Sequence, residues 1–431
     1  MKKAFLLFVL LAAMVSCGKG DEPKPDPTPN PPSQNDPNDP DDPDNPNDPE
    51  KPNESVNISL STSSLSFYSY GGALATMITC PEGKTWTLSG GESWCVPNWT
   101  SGPNGAFLVF TTEDYTGTED RNATYTFTCD GQTVTLKVTQ QAGKTISIHV
   151  TAKGSLQSIL KEQAWNIFGS DDIRWCDIRN LKITGNVNDD DCRTIASMFY
   201  LCNLDISETT LTELNIGILR FSPIQNIILP KNLTKIIGSL SFNSNVRLQA
   251  IEIPANVETI EDGAFAFYTA LTNVTFEQGS QLKTIGETNS LVLLGTFEGC
   301  TSLTDIEIPA SVEKIGSSAF QGCTTLTTVT FEKGSQLNAI DYGAFSDCIS
   351  LKTIDMSTCT KVKTIGSSGG FSVFYECHSL QTFKLGTYTP PDASYLGSIP
   401  TSATLQVPAN SISSYRTARG WKDFPHITSL D

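Results

Sequence analysis

The string Phe297-Glu-Gly-Cys300-Thr-Ser-Leu303 decides the fold of this chain, because variants of it recur through the C-terminal half. The shared pattern is Phe-x-x-Cys-x-x-Leu, or the same spacing without the cysteine. Further copies begin at Phe242, Phe265, Phe320, Phe345 and Phe374. In all six copies the leucine follows the phenylalanine by six residues. A pattern that repeats at fixed spacing inside one chain predicts a solenoid of stacked coils.

The regular repeats form a duplicated pair. Phe265 and Phe320 are 55 residues apart, as are Phe276 and Phe331. Each coil of about 24 residues offers a short strand, a second apolar segment and then the phenylalanine string. Seven extra residues fall near 287–294, which indicates an insertion between two coils.

These strings resemble the treponemal, BspA-type leucine-rich repeat family, in the form Ile-Pro-x-x-Val-x-x-Ile-Gly-x-x-Ala-Phe-x-x-Cys-x-x-Leu. The resemblance covers regular repeats at 222–386. Residues 143–221 are expected to be an N-terminal cap with divergent repeats, and residues 387–431 a C-terminal cap. The family implies a bacterial surface protein that binds other macromolecules, with no shared enzymatic activity.

Residues 55–142 predict a separate all-β domain. Short runs of Val, Ile, Thr, Phe and Tyr alternate with glycine-containing turns, and Thr133–Thr139 alternates apolar and polar side chains. About seven such strands fit an immunoglobulin-like β-sandwich. The predicted fold class is therefore multi-domain, with this sandwich followed by a β-rich leucine-rich-repeat solenoid that has short helices and turns.

The sandwich segment resembles a BACON domain, a Bacteroidetes-associated carbohydrate-binding module. The resemblance rests on Trp86-Thr-Leu-Ser, Ser93-Trp94-Cys95-Val96 and the strand that ends at Gln140. The family implies an immunoglobulin-like sandwich in surface or secreted proteins related to glycans. Trp86 and Trp94 are expected to be core anchors, whereas Trp99 lies in a predicted loop and is the candidate for an exposed, sugar-stacking ring.

The N-terminus predicts export and lipid anchoring. A basic start precedes the apolar run Ala4–Val15, which is shorter than the roughly 20 residues of a membrane-spanning helix. Residues 1–16 resemble the signal peptide of a bacterial lipoprotein, with Cys17 as the lipidated residue; an ordinary signal peptide is the alternative. Residues 17–54 are expected to be a disordered linker, since residues 21–54 hold 12 of the 24 prolines and no other apolar side chain.

Charge and composition argue against several classes of function. The net charge of −17 disfavours nucleic acid as a partner. Three histidines and no metal-spaced cluster predict neither a metal site nor a cofactor. The segment Gly366-Ser-Ser368-Gly-Gly370 matches Gly-x-Ser-x-Gly, but it sits in a repeat insertion instead of the strand–turn–helix that a nucleophile elbow needs. The chain is therefore predicted not to be an enzyme.

The string also places a cysteine at one point of four coils, at Cys300, Cys323, Cys348 and Cys377. Coils stack at about 4.8 Å, like strands in a sheet. That spacing is near the Cα separation of a disulfide, although parallel side chains suit the bond poorly. Buried free thiols are the favoured interpretation, with disulfides and a metal site as alternatives.

Exposed positions of the predicted strands form the candidate binding face. They carry short polar side chains. Such a face suits hydrogen bonding to a polar ligand and does not suit a hydrophobic anchor residue of a partner. The candidate residues are Trp99 in the sandwich and Thr304, Asp305, Glu307, Thr327, Thr328, Thr330, Lys352 and Asp355 in the solenoid. A face that is only solvated is the alternative.

The order of anchor, linker, sandwich and solenoid predicts a lipid-anchored outer-membrane protein at the cell surface. Its expected function is non-enzymatic binding or adhesion to an extracellular protein through the solenoid face. The membrane would be contacted through the lipid alone. The alternative is a glycan-binding accessory protein of a polysaccharide-uptake system.

Overall fold

The computed structural model describes the sandwich and most of the solenoid. The described residues are 57–117, 119–168, 178–238, 247–286, 294–366, 372–397 and 399–430. The predicted signal peptide, Cys17, the linker, Phe242, the insertion at 287–293 and Ser368 lie outside them.

Two sheets form the β-sandwich that the sequence predicts. Its strands are β1 (Ser59–Leu60), β2 (Ser64–Phe67), β3 (Gly72–Thr79), β4 (Thr85–Gly90), β5 (Cys95–Pro97), β6 (Ser101–Pro103), β7 (Phe107–Thr112), β8 (Arg121–Cys129) and β9 (Gln132–Gln140). One sheet has the order β1-β3-β7-β5 and the other β2-β9-β8-β4-β6. The three-residue strands β5 and β6 add to the seven predicted ones, because neither carries an apolar alternation long enough to recognise.

Parallel strands form the solenoid. They are β10 (Lys144–Val150), β11 (Ile178–Gly185), β12 (Asn203–Thr209), β13 (Glu213–Asn215), β14 (Asn226–Ile228), β15 (Lys235–Ile237), β16 (Ala250–Ile253), β17 (Thr259–Ile260), β18 (Asn273–Phe276), β19 (Thr284–Ile285), β20 (Asp305–Ile308), β21 (Lys314–Ile315), β22 (Thr328–Phe331), β23 (Ala339–Ile340), β24 (Thr353–Met356), β25 (Thr364–Ile365), β26 (Thr382–Leu385), β27 (Thr404–Val407) and β28 (His426–Ser429). The N-terminal main sheet has the order β10-β11-β12-β14-β16-β18, and the C-terminal main sheet β20-β22-β24-β26-β27-β28. The minor sheet has the order β13-β15-β17-β19-β21-β23-β25.

Short helices accompany the ends of the solenoid. They are α1 (Leu156–Glu162), α2 (Ala164–Phe168), α3 (Asp189–Ala196), α4 (Ile412–Tyr415) and the 3₁₀ helices Ile216–Phe221, Ala409–Ser411 and Trp421–Asp423. The buried carboxylate of Asp191 accepts hydrogen bonds from the amides of Gly154, Leu156 and Asn188. One side chain therefore satisfies backbone donors at the start of both α1 and α3.

Three ladders join neighbouring coils. The main strands pair in parallel, and the minor strands place one buried isoleucine per coil in a column. The third ladder runs through the phenylalanine strings. There the amides of Phe297, Phe320 and Phe345 donate to the carbonyls of Ala319, Ala344 and Val373 in the next coil.

The repeated string lies at the centre of the core. The rings of Phe265, Phe297, Phe320, Phe345 and Phe374 stack with successive centroids 5.2, 5.4, 5.3 and 5.8 Å apart and planes within 15° of each other. Each of the four cysteine thiols donates to a phenylalanine carbonyl of the preceding coil at 3.1–3.2 Å. The thiols are buried and free, as the favoured interpretation expects.

The phenylalanine stack continues where the main strands are interrupted. Within the described residues, main-sheet pairing ends at β18 and resumes at β20, with the insertion between them in sequence. Phe265 and Phe297 flank this break, yet their planes differ by only 5°. The Phe265 amide also donates to the carbonyl of Thr296 at 2.8 Å. The string therefore keeps the coils aligned across the insertion.

A buried arginine joins the sandwich to the solenoid. The Arg179 side chain on β11 is only 3% exposed and pairs with Asp114 of the sandwich. It also donates to the Ser69 hydroxyl at 3.0 Å, to the Tyr200 carbonyl at 2.8 Å and to the Cys202 sulfur at 3.3 Å. Because a buried charge is costly unless it is paired, these bonds fix the sandwich to the first coils.

Aromatic residues close the C-terminal end of the core. The fully buried Trp421 donates from Nε1 to the Pro391 carbonyl at 2.8 Å, and its ring lies 5.6 Å from that of Phe383. Tyr415 packs edge-on against Trp421 and donates to the Thr387 carbonyl at 3.0 Å. The tail thus covers an apolar layer that the last coil would otherwise expose.

Truncating one ring of the stack should destabilise the protein strongly. Phe320→Ala removes a fully buried ring that contacts Phe297 and Phe345, and we expect a loss of about 3–5 kcal/mol in the free energy of unfolding. The measurement is urea-induced unfolding followed by circular dichroism. The control is Ile349→Ala, whose side chain is 48% exposed and should change stability by less than about 0.5 kcal/mol. Similar losses in the two variants would contradict a structural role for the stack.

Candidate binding faces

The predicted solenoid residues lie on the exposed side of the C-terminal main sheet, in straight columns. One column of register partners is Asp305, Thr328, Thr353, Thr382 and Thr404. The next column is Glu307, Thr330, Asp355, Lys384 and Gln406. Thr304, Thr327 and Lys352 directly precede the strands, so the sheet brings all eight predicted residues onto one surface.

Five threonine hydroxyls of these columns are available to a ligand. Among the described residues, no hydrogen-bond partner is found for the hydroxyls of Thr328, Thr330, Thr353, Thr382 and Thr404. Two neighbours differ, since the Thr304 hydroxyl donates to Asp305 at 2.7 Å and the Thr327 hydroxyl to the Thr304 carbonyl at 3.1 Å. The surface is therefore a set of short donors and acceptors on a regular backbone.

Asp355 is already engaged within the protein. Its Oδ2 accepts a hydrogen bond from Lys384 at 2.8 Å, and its Oδ1 accepts from the hydroxyl and amide of Ser357 at 2.6 and 3.1 Å. Partial burial raises the pKa of Asp355, but the Lys384 ammonium and the Ser357 donors outweigh that effect and lower the pKa overall. Asp355 thus has less hydrogen-bonding capacity left for a ligand than the threonines have.

A second polar column, on the N-terminal main sheet, was missed by sequence reasoning. Asn226 donates from its side-chain amide to Asn203 at 2.8 Å, Asn203 to Asn180 at 2.6 Å, and Asn180 to the hydroxyl of Thr145 at 3.0 Å. Each asparagine directly precedes an inward Leu or Ile of its strand, namely Leu181, Leu204 or Ile227. That shared offset is the signal that could have revealed the ladder.

The three sandwich tryptophans have different environments. Trp86 is fully buried and donates from Nε1 to the Pro103 carbonyl at 2.9 Å, which confirms it as a core anchor. Trp94 is only partly buried, and one side of its ring stacks on Arg121. Trp99 is 57% exposed, which agrees with its prediction as the accessible ring.

Several predicted features cannot be placed on the structure. Cys17 and Ser368 lie outside the described residues. Among the residues that are described, no group of three His, Cys, Asp or Glu side chains could hold a metal ion. In the same part of the chain, no helix combines the length and apolar character needed to cross a membrane.

Comparison with known families agrees with this geometry. A profile described as a BspA type leucine rich repeat region matches six copies over residues 193–289 and 294–403. The BACON profile, described as a putative N-terminal binding domain, matches residues 84–141. The chain combines a BACON domain with BspA-type leucine-rich repeats. It is a repeat protein built from surface-type binding modules, and no curated protein shows significant similarity to it.

The solved structures that this chain resembles are distant. A leucine-rich repeat protein from Bacteroides ovatus is 18% identical, with coverage of 67% of this chain and 76% of that one and a TM-score of 0.33. A leucine rich cell surface protein from Faecalibacterium prausnitzii is 16% identical, with coverage of 68% and 84% and a TM-score of 0.23. A Bacteroides ovatus GH5 xyloglucanase is 15% identical over 35% of this chain and only 45% of the enzyme, with a TM-score of 0.20. Likenesses of this size support no conclusion about function.

Breaking the asparagine ladder should cost a modest amount of stability. Asn203→Ala removes two amide hydrogen bonds, and we expect a loss of about 1 kcal/mol in the free energy of unfolding, measured by urea denaturation. Asn273→Ala is the matched control, because Asn273 occupies the same column but neighbours Ala250. Equal effects of the two substitutions would show that the ladder adds nothing.

Proposed function

We propose that the chain is a lipid-anchored outer-membrane protein that binds an extracellular protein, without catalysis, through the exposed side of its C-terminal main sheet. The observation that supports this most is the row of threonine hydroxyls without internal partners on a sheet of fixed register. A rigid array of short side chains loses little conformational entropy when a partner docks. Cys17 supplies the anchor, and residues 17–54 act as the spacer.

Binding without catalysis fits the distribution of reactive groups. The cysteines of the repeated string are buried, and burial raises the pKa of Cys323 and of Cys377 to about 12. Such thiols are neither accessible nor ionised near neutral pH, so they are unsuited to nucleophilic chemistry. An enzymatic role for Ser368 would be demonstrated only by turnover that the Ser368→Ala variant loses.

A second candidate function is glycan binding through the sandwich, which the exposure of Trp99 favours. Val96 and Phe107 of the same domain are also exposed, at 56% and 66%. Aromatic rings of this kind can stack on the apolar face of a sugar. This candidate places the ligand on the sandwich, and the leading one places it on the solenoid.

One binding screen separates the two candidates. The Cys17→Ser chain, which cannot be lipidated, is tested on arrays of extracellular proteins and of glycans. We expect protein binding that falls at least about tenfold, or 1.4 kcal/mol, in Thr328→Arg/Thr353→Arg, because two bulky cations interrupt the centre of the face. The matched control is Thr259→Arg/Thr284→Arg on the minor sheet, which should bind normally.

Two results would contradict the leading candidate. Protein binding that survives Thr328→Arg/Thr353→Arg would exclude the proposed face. Binding to glycans alone, abolished by Trp99→Ala and unaffected on the solenoid, would replace it with the second candidate.

A further inference from the structure

The sandwich contains a polar cavity at one rim, between the start of β5, the end of β7 and the start of β8. Its volume is about 500 Å³, within the range of roughly 300–1,000 Å³ typical of small-ligand sites. The lining includes Ser93, Trp94, Thr111, Glu113 and Arg121. The cavity lies in the sandwich, so it is separate from the threonine columns of the solenoid.

Arg121 is held rigidly in this cavity. Its guanidinium carbon lies 4.5 Å from the centre of the Trp94 ring and 4.2 Å from that of Tyr115. Nε and Nη2 both donate to Oε1 of Gln140, at 3.0 and 2.7 Å. Gln140 is fully buried and in turn donates to the Glu113 carbonyl at 2.8 Å. The guanidinium is therefore held by two aromatic rings and by hydrogen bonds along one edge.

The remaining edge of Arg121 has the geometry of an anion receptor. A guanidinium fork matches a carboxylate through two parallel hydrogen bonds. Among the described residues, no carboxylate pairs with Arg121, although Glu113 and Asp114 line the same cavity. Asp114 is committed to Arg179 at the joint with the solenoid. Arg121 is thus a positioned cation whose counter-ion this part of the chain does not supply.

The cavity wall also offers hydroxyl groups. The Ser93 and Thr111 side chains are exposed in the lining; the Thr111 hydroxyl donates to the Val96 carbonyl at 3.2 Å, which leaves its oxygen free to accept. Thr112 lines the cavity too, and its buried hydroxyl has no hydrogen-bond partner in the described part of the chain. That hydroxyl has almost no accessible surface and belongs to the inward-facing side of β7, so it is not presented to a ligand and the exposed hydroxyls alone serve the cavity.

We propose that this rim cavity binds the carboxylate of an acidic sugar residue, such as a uronic acid in a glycan. Arg121 takes the carboxylate, Ser93 and Thr111 bond the ring hydroxyls, and the edge of Trp94 packs against the sugar ring. An acidic peptide suits the site less well. A peptide adding to the adjacent edge strand β5 would find only three residues, one of which is Pro97, which lacks an amide hydrogen.

The test is calorimetric titration of the full Cys17→Ser chain with uronic-acid oligosaccharides and with neutral oligosaccharides of the same length. We expect a galacturonate, glucuronate or mannuronate oligomer to bind at least about tenfold more tightly than its neutral counterpart, the size of one charge-assisted contact. Arg121→Lys keeps the charge but loses the fork, and should weaken binding at least tenfold. Lys137→Gln, which removes an exposed cation from the same domain, is the control and should bind normally.

A second variant keeps the proposal testable if Arg121→Lys fails to fold, as judged by its melting temperature. Glu113→Gln removes the competing negative charge from the lining and should tighten binding of the acidic sugar severalfold. Equal binding of acidic and neutral sugars, binding of no uronate oligomer by the folded protein, or equally tight binding of hexaglutamate would each overturn the proposal. None of these results bears on the solenoid face, whose variants lie in another domain.

Discussion

The coils that contain Phe265, Phe297, Phe320, Phe345 and Phe374 are joined by the same pair of contacts, a stacked phenylalanine ring and a cysteine thiol bonded to a phenylalanine carbonyl of the preceding coil. The rings exclude water, and the thiol adds a second donor to a carbonyl that already accepts from the amide three residues further along the chain. Both contacts require the ring and the thiol at the same position in each coil. An insertion or deletion within the string would therefore break them. The insertion falls outside the string, and the stack crosses the resulting break in the main strands. The main-strand ladder is the side that is interrupted there, whereas the minor-strand ladder also runs unbroken past the insertion.

Local and periodic features of the fold could be read from the sequence. The six-residue spacing from Phe to Leu predicts the coils, and the strand period predicts which side of β20, β22 and β24 faces solvent. Contacts between residues distant in sequence could not be read in this way. Arg179 donates a hydrogen bond to Ser69, which lies 110 residues away in sequence. The residues next to Arg179 in the sequence do not indicate that its side chain is buried and paired. Gly143 shows the same limit: a Cβ there would lie 1.7 Å from Cγ of Arg179, so the joint requires glycine.

The candidate sites also differ in whether they depend on local sequence patterns or on contacts between distant residues. The eight solenoid residues predicted on this face follow from strand alternation, whereas Thr404 and Gln406, which extend the columns into the predicted C-terminal cap, were not among them. The rim cavity depends on three segments that meet only in the folded sandwich, so Arg121 and Glu113 carried no recognisable signal. Trp94 was partly predictable. Its sequence pattern indicates a core residue, but one side of its ring stacks on the Arg121 guanidinium at the surface. The Arg179 contacts fix the sandwich to the solenoid. A ligand bound to one domain therefore has a fixed orientation relative to the other domain.

The cysteines of the repeated string are structural and inaccessible. Burial raises the pKa of Cys323 and Cys377 to about 12, and that of Cys300 and Cys348 well above the usual range. The most direct test is alkylation with iodoacetamide at pH 8, in native buffer and in guanidinium chloride, followed by peptide mass mapping. We expect no modification of these four residues in the native protein and complete modification after unfolding. Rapid native modification, or a disulfide between cysteines of neighbouring coils, would contradict this expectation.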